Sequence, residues 1–284
     1  MQTRLLTWWE RNGRDLPWRR TRDPWAVLVS ETMLQQTQVP RVTERYVEFL
    51  GLFPTPAACA AAPAGDVVKA WAGLGYNRRA LNLHRCATAV VERHGGALPD
   101  DLEALLLLPG IGPYTARAML VFAFERDIGL VDTNAGRFLS RAGAGRALGT
   151  KEAQGLADSL VPPGRGWAWG QAVFDLGALV CVRRSPRCDA CPIVEDCAWA
   201  RRGFPAPDPV EGSAGISGKQ SAFDGSDRQG RGRLVDALRA GPVALADLPT
   251  VMGWPDDALR AGRVAETLVR DGLAVADADV LRLP

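Results

Sequence analysis

The chain has 284 residues, 47% of them hydrophobic and 23% charged, with a formal net charge of +2. That length suits one large domain or a large and a small one, and the proportions exclude collagen-like, coiled-coil and disordered classes. The near-neutral balance excludes a histone-like charge field but permits a local basic face. No apolar run approaches the ~20 residues of a membrane span, and the opening MQTRLLTWWERNGRDLPW has no apolar signal-peptide core, so the expected compartment is the cytoplasm, with no membrane partner.

Taken in chain order, nearly every segment up to about residue 200 reads as helix. Asp23-Pro24 is an N-cap followed by Pro at the first helical position, and the run Trp25 to Gln38 follows it. Thr55-Pro56 and Pro63-Ala64-Gly65 separate two further helices, and a helix through His84 to His94 stops at Gly95-Gly96. Shorter helices are expected over 101–108, 114–124, 134–142 and 151–160, and a longer one over 169–182. No stretch sustains period-two alternation, so the body is expected to be all-α. From Gly203 to Gly230 the chain turns rich in Pro, Gly, Ser and Asp without periodicity and reads as a linker.

Residues 231–284 then show three helical stretches, 233–239, 245–248 and 256–270, and two short apolar runs around an Asp-rich turn. That order resembles a small winged-helix-like domain. Seven arginines face eight acidic residues in it, and the candidate recognition helix opens on Asp256-Asp257. An acidic start is costly against phosphates, so the tail is expected to dock or assist rather than read the major groove.

The string Leu108-Pro109-Gly110-Ile111-Gly112-Pro113-Tyr114-Thr115-Ala116 joins two helices. Gly110 and Gly112 can both take φ > 0 and reverse the chain tightly. The first amides of the second helix would then offer a phosphate a partial positive charge. The string matches the helix-hairpin-helix motif of DNA-binding proteins; a plain turn is the alternative.

Of six cysteines, Cys59 and Cys86 sit singly in Ala-rich helical stretches and read as packing residues. The other four follow the pattern Cys181-x6-Cys188-x2-Cys191-x5-Cys197. Without a signal peptide, clustered cysteines point to a metal before a disulfide. Four thiolates suit tetrahedral zinc or an iron–sulfur cube, and ligand count alone does not choose. Arg183, Arg184, Arg187, Arg201 and Arg202 surround them, suited to offset a cluster's negative charge or to face phosphates.

Two carboxylates have contrasting surroundings. Glu31 has Val27, Leu28 and Leu34 as helical neighbours, an apolar face that would raise its pKa and suit a general acid, unless it points to solvent. Asp132 follows the apolar run 128–131 and precedes a helix, where it is at least an N-cap and is expected to be stabilised as an anion. An acid paired with an anion is what glycosidic cleavage needs.

At this point the sequence resembles the A/G-specific adenine DNA glycosylases of the helix-hairpin-helix, endonuclease III-like superfamily. The matching strings are LPWR (16–19), SETMLQQTQV (30–39), GLGY (73–76), LPGIGPYTA (108–116), VDTN (131–134) and DLGALVC (175–181), with the cysteine spacing of the superfamily's 4Fe–4S loop. The resemblance implies two helical lobes with the base pocket between them: 26–118 as a six-helix lobe, and 1–25 with 119–202 as the cluster lobe. It implies a 4Fe–4S cluster on Cys181, Cys188, Cys191 and Cys197. Glu31 would protonate the purine, Asp132 would stabilise the sugar cation, and Tyr114 and Asn134 would hold these carboxylates. Trp18, Arg19 and Gln171 match positions lining the adenine pocket. Gln35, Gln36 and Tyr76 match positions that meet the duplex where the base flips out, and Gly110 and Gly112 the hairpin.

The implied activity is removal of adenine opposite 8-oxoguanine or guanine in double-stranded DNA, by a monomer at the bacterial nucleoid. Endonuclease III carries a Schiff-base lysine where this chain has Tyr114, so no strand nicking is expected. A thymine-mismatch glycosylase and a non-catalytic iron–sulfur DNA-binding regulator are the alternatives. Two features depart from the family: Ala135-Gly136 precede the first basic residue after VDTN, and the C-terminal segment is far shorter than a Nudix-like domain.

Overall fold

The computed structural model describes residues 1–214 and 222–284. Its helices in chain order are α1 (Gln2–Asn12), α2 (Pro24–Leu34), α3 (Val39–Leu52), α4 (Pro56–Ala61), α5 (Ala64–Ala70), α6 (Arg78–His94), α7 (Leu102–Leu106), α8 (Pro113–Phe122), α9 (Thr133–Phe138), α10 (Thr150–Ser159) and α11 (Gly166–Leu179). The C-terminal segment adds α12 (Asp227–Ala240), α13 (Leu248–Met252) and α14 (Ala258–Asp271), with strands β1 (Val243–Ala244), β2 (Val275–Asp277) and β3 (Val280–Arg282). No described helix is long and apolar enough to cross a membrane.

The chain divides into two compact units. The first comprises Met1–Val27, Asp100–Glu103 and Ile111–Lys219. Its core is built from Leu5 and Leu6 of α1, Phe138 and Leu139, Trp169, Val173 and Leu176 of α11, and Ile193 of the cysteine loop. Residues 111–118 group here, whereas the sequence reading set them in the first lobe. α8 is pinned to α11 by the edge-to-face pair Phe122–Phe174, with centroids 5.9 Å apart.

The second unit comprises Leu28–Pro99, Ala104–Gly110 and Gln220–Pro284. Phe49 of α3 meets Trp71 edge to face at 5.7 Å in its core, with Val67, Leu83, Val90 and Leu105 buried around them. Cys59 and Cys86 are buried there, and burial pushes both thiols up to about 12, as suits packing residues.

The C-terminal segment belongs to this second unit. Its antiparallel sheet runs β1-β3-β2, with Val243 opposite Leu281 and Ala276 opposite the same residue on the other side. Three helices with that small sheet form the winged-helix-like domain expected from sequence. It is seated on the lobe: Gly65 N donates to Pro284 O at 2.8 Å, and Arg239 donates from Nε to Val68 O at 3.1 Å and from Nη2 to Asn77 Oδ1 at 2.7 Å.

Both ends of the expected linker are folded. Val210 and Ser213 are buried, Ser213 Oγ accepts from Ser140 Oγ at 2.7 Å, and Asp208 pairs with Arg141. α12 begins at Asp227, capped by Ser226, well before the helix expected from Arg233. Gly230 reads as a helix breaker but is required inside this helix: a Cβ there would lie 2.2 Å from the Trp254 ring. The middle of the expected linker, 215–221, lies outside the described residues.

Candidate active site

Asp23, in the first unit, caps α2 as expected, accepting from Trp25 N at 3.2 Å and Ala26 N at 3.4 Å, and the helix runs on into the second unit. Glu31 lies on the last turns of that helix with only 7% exposure, among buried Val27, Leu28 and Met33. The helix stops at Leu34, four residues short of the sequence reading. Arg79 supplies the reason. Its Nη1 donates to the carbonyls of Thr32 (2.8 Å), Met33 (2.8 Å) and Gln35 (2.6 Å). Its Nη2 donates to Thr37 Oγ1 (3.0 Å), Leu74 O (3.2 Å) and Gly75 O (3.0 Å).

A helix end leaves carbonyls without intrahelical partners, and one buried guanidinium collects them here. The same group binds the GLGY loop, so the segments bearing Gln35, Gln36 and Tyr76 are held by a single side chain. Burial lowers Arg79 to about 10, which still leaves it charged at neutral pH. Gln36 (φ 56°) and Tyr76 (φ 45°) adopt left-handed backbone, uncommon for residues with side chains and frequent at functional sites. Tyr76 is 43% exposed.

The hairpin string behaves differently at its two glycines. Gly110 has φ +80°, and a Cβ there would lie 2.7 Å from that of Asn82, so the turn and the close approach both require glycine. Gly112 is extended (φ −96°) and is the N-cap of α8, so only one of the two uses the left-handed region that the sequence reading allowed to both. Gly112 is exposed, and its carbonyl accepts the first bond of α8 from Ala116 N at 2.9 Å. Tyr114 stands in that first turn, half-buried.

In the first unit, Asp132 is the N-cap of α9. Its Oδ1 accepts from Asn134 N (2.8 Å) and Ala135 N (2.7 Å), and its Oδ2 from Asn134 Nδ2 (2.8 Å). Burial pushes this carboxyl above the ordinary carboxylate range; the bonds from Ala135 and Asn134 and the charge of Arg137 pull it back only in part. The sequence reading, which weighed only the helix amides, expected a group pushed toward ionisation. Desolvation outweighs the amides.

Arg137 and Arg141 were given no role by sequence, and they tie this site to the cysteine loop. Arg137 is 8% exposed, with Nη2 donating to Asn134 Oδ1 (2.6 Å) and Gly177 O (2.6 Å) and Nε donating to Cys181 O (2.9 Å). α11 passes so close that a Cβ at Gly177 would lie 2.6 Å from that of Asn134. Arg141, 1% exposed, forms a two-pronged pair with Asp208 (2.9 and 2.6 Å), donates to Val182 O (2.7 Å), and approaches Cys181 Sγ at 3.5 Å.

Cys181, Cys188, Cys191 and Cys197 line one apolar pocket with Ile193, Leu176 and Arg141. They ring that pocket rather than converge on a point: among the described residues no three His, Cys, Asp or Glu groups gather as for a single ion. Burial raises Cys181 and Cys188 and pushes Cys191 up to about 11, so a metal would have to displace their protons. Four thiols around an apolar pocket, with arginine beside them, fit an iron–sulfur cube.

The remaining sequence-assigned residues lie in the same unit. Trp18 (8% exposed) stands in the 3-10 turn Pro17–Arg19, and Gln171 (5%) lies on α11. The Arg19 guanidinium is spent on Asp175, which is wholly buried: Nη1 donates to Oδ2 at 2.7 Å and Nη2 to Oδ1 at 2.8 Å. Arg14 adds Nε to Oδ1 at 2.6 Å, and Trp9 adds Nε1 to Oδ2 at 3.1 Å. Burial by itself would raise Asp175, but the bonds and charges of Arg19 and Arg14 hold it below the ordinary range. Arg19 therefore shapes the region by anchoring the LPWR turn.

Comparison with known proteins is decisive. Residues 29–163 match the model of the HhH-GPD superfamily base excision DNA repair proteins. An adenine DNA glycosylase of Mycobacterium tuberculosis is 43% identical over 98% of this chain and 91% of its own length. The chain belongs to the adenine DNA glycosylase family. The human adenine DNA glycosylase is 41% identical over 70% of this chain and 39% of its own length. Among solved structures, a thermostable thymine-DNA glycosylase superimposes with TM-score 0.65 at 30% identity, over 70% of this chain and 94% of that one. This adenine DNA glycosylase family member is a helical base-excision enzyme acting on DNA. The M. tuberculosis match takes in almost the whole chain.

Proposed function

We propose that the enzyme hydrolyses the N-glycosidic bond of adenine mispaired with 8-oxoguanine or guanine in double-stranded DNA, as a monomer, in the bacterial cytoplasm at the nucleoid. The observation that carries the reading is the capped carboxylate Asp132, fastened through Asn134 and Arg137, in a chain whose Glu31 is buried on an apolar helix face. The target nucleotide must leave the stack, because the glycosidic bond is inaccessible within a duplex.

Glu31 gives its proton to a ring nitrogen of adenine, so that the base departs with the bonding electron pair as a neutral leaving group. Asp132, as the anion, stabilises the positive charge left on the sugar until water adds at C1′ and gives up a proton to the Glu31 carboxylate, which restores the acid. Tyr114 and Asn134 hold the carboxylates, and Trp18, Gln171 and the Arg19-anchored turn shape the adenine pocket. Gln35, Gln36 and Tyr76 enter the gap in the duplex, and the hairpin Gly110–Gly112 holds a backbone phosphate.

Cys181, Cys188, Cys191 and Cys197 would hold a 4Fe–4S cluster, which would fasten the 181–197 loop. Tyr114 has no amine with which to form an imine, so the product is an abasic site and not a nicked strand.

A thymine-mismatch activity is the second reading, favoured by the likeness to a thymine-DNA glycosylase structure. Single-turnover assays on duplexes with A opposite 8-oxoguanine, A opposite G and T opposite G separate the two. Faster release of thymine than of adenine would overturn the adenine reading, and efficient borohydride trapping of a protein–DNA adduct would overturn the absence of nicking.

A further inference from the structure

The second unit contains a groove of about 880 Å³ that begins at Gln35, Gln36 and Tyr76 and runs on to α12, whose side chains the catalytic reading does not use. One wall is formed by the Gln35–Gln38 and Gly73–Arg79 segments with Arg41. The other is one face of α12, from Arg228 to Arg239, in the winged-helix-like domain, with Phe223 and Asp271. Six arginines line it against two aspartates. The whole C-terminal segment from Arg231 is net acidic, yet three of the four arginines of α12, Arg228, Arg231 and Arg239, line this one side.

The groove is a fixed feature. Arg239 of α12 bonds Asn77, the residue next to Tyr76, and Asp271 pairs with Arg231 at 2.6 Å and lies 3.6 Å from Arg78, so the two walls are tied across the groove. Arg41 is exposed with no carboxylate partner among the described residues. Arg228 stacks on Phe223, itself 52% exposed, at 5.3 Å. The two left-handed residues, Gln36 and Tyr76, stand on the lip.

We infer that this groove is a composite binding site for the sugar–phosphate backbone of duplex DNA, in which Arg228 and Arg231 of the C-terminal domain face Arg41 and Arg78 of the helical lobe. The inference rests on the reading of the enzyme as a mismatch glycosylase. It assigns the short C-terminal domain a direct share of DNA affinity, through backbone charge and without major-groove readout. The chemistry is that of a basic channel with exposed aromatic rings at its edge, which tracks a backbone and takes no sequence information from it.

The test uses the full chain and a mismatched duplex, with affinity measured by fluorescence anisotropy across a salt series. Arg41→Ala and Arg228→Ala remove one charge from opposite walls. Arg270→Ala removes one from the exposed face of α14, outside the groove. Each groove variant is expected to bind several-fold more weakly and to reduce the slope of log affinity against log salt by about one, and the Arg270 variant to do neither. Equal effects from all three would reduce the groove to general charge and overturn the inference. So would groove variants with unchanged affinity and slope. A wild-type enzyme that neither binds the duplex nor releases adenine would instead bring down the functional reading, and this one with it.

Discussion

Arg137 donates from Nη2 to Asn134 Oδ1 at 2.6 Å, and Asn134 in turn donates from Nδ2 to Asp132. The amide of Asn134 is thus oriented from behind, oxygen toward the guanidinium and nitrogen toward the carboxylate. The same guanidinium grips the carbonyl of Cys181, so the carboxylate and the first cysteine share one support.

Arg137→Ala should therefore lower the single-turnover rate by about 10–100-fold, as removal of an orienting partner commonly does, with little loss of DNA affinity. It should also move the acid limb of the rate. Asp132 is already raised by burial, and Arg137's charge opposes that rise. Without it the carboxyl protonates at a higher pH, so activity that needs the anion fails at a higher pH than in wild type. An unmoved acid limb at normal rate would remove Arg137 from the mechanism.

Glu31→Gln should bind mismatched duplex as wild type does but lose roughly 10²–10⁴ in the rate of base release, the usual worth of a general acid. The side chain is nearly isosteric and sits at 7% exposure in a packed helix, so the fold should survive. Activity within a few-fold of wild type would assign the proton to another group.

Asp175→Asn should cost about 3–5 kcal/mol, because it leaves the buried Arg19 and its neighbour Arg14 without their counter-charge. The native carboxyl is held below its unfolded value. Its contribution is therefore complete above the unfolded pKa near 4 and disappears as pH falls through the lower folded pKa. Urea denaturation should show a wide gap between wild type and variant at neutral pH that narrows in strong acid. A gap independent of pH would mean that the loss comes from packing and not from charge.

Anaerobically purified enzyme should be brown and carry roughly four irons with matching sulfide per chain. Cys197→Ser should lose the colour and loosen the loop that Arg141 binds through Val182 and Arg183. Stoichiometric zinc without sulfide in such a preparation would refute the cluster.

How much of this was legible in the sequence follows from the range of each interaction. The Asp23 and Asp132 caps, the Gly110 turn and the cysteine spacing are local, set by residues a few positions apart, and the sequence alone determined them. It also determined the order of the three helices and the closing hairpin of the C-terminal domain, though not the two-residue β1, because apolar periodicity needs no partner to be seen. What it did not reveal are the arginines. Arg79 reaches 47 residues back to Thr32, Arg137 reaches 44 forward to Cys181, and Arg19 meets Asp175 across 156. In a sequence with 34 basic residues each of these reads as a solvated surface charge, the usual state of arginine. Only tertiary packing decides which guanidinium is enclosed, and an enclosed one must gather whatever carbonyls and carboxylates lie within reach. The end of α2 at Leu34, the raised carboxyl of Asp132 and the basic groove beside α12 all follow from that selection, since desolvation and charge convergence exist only once distant segments have met.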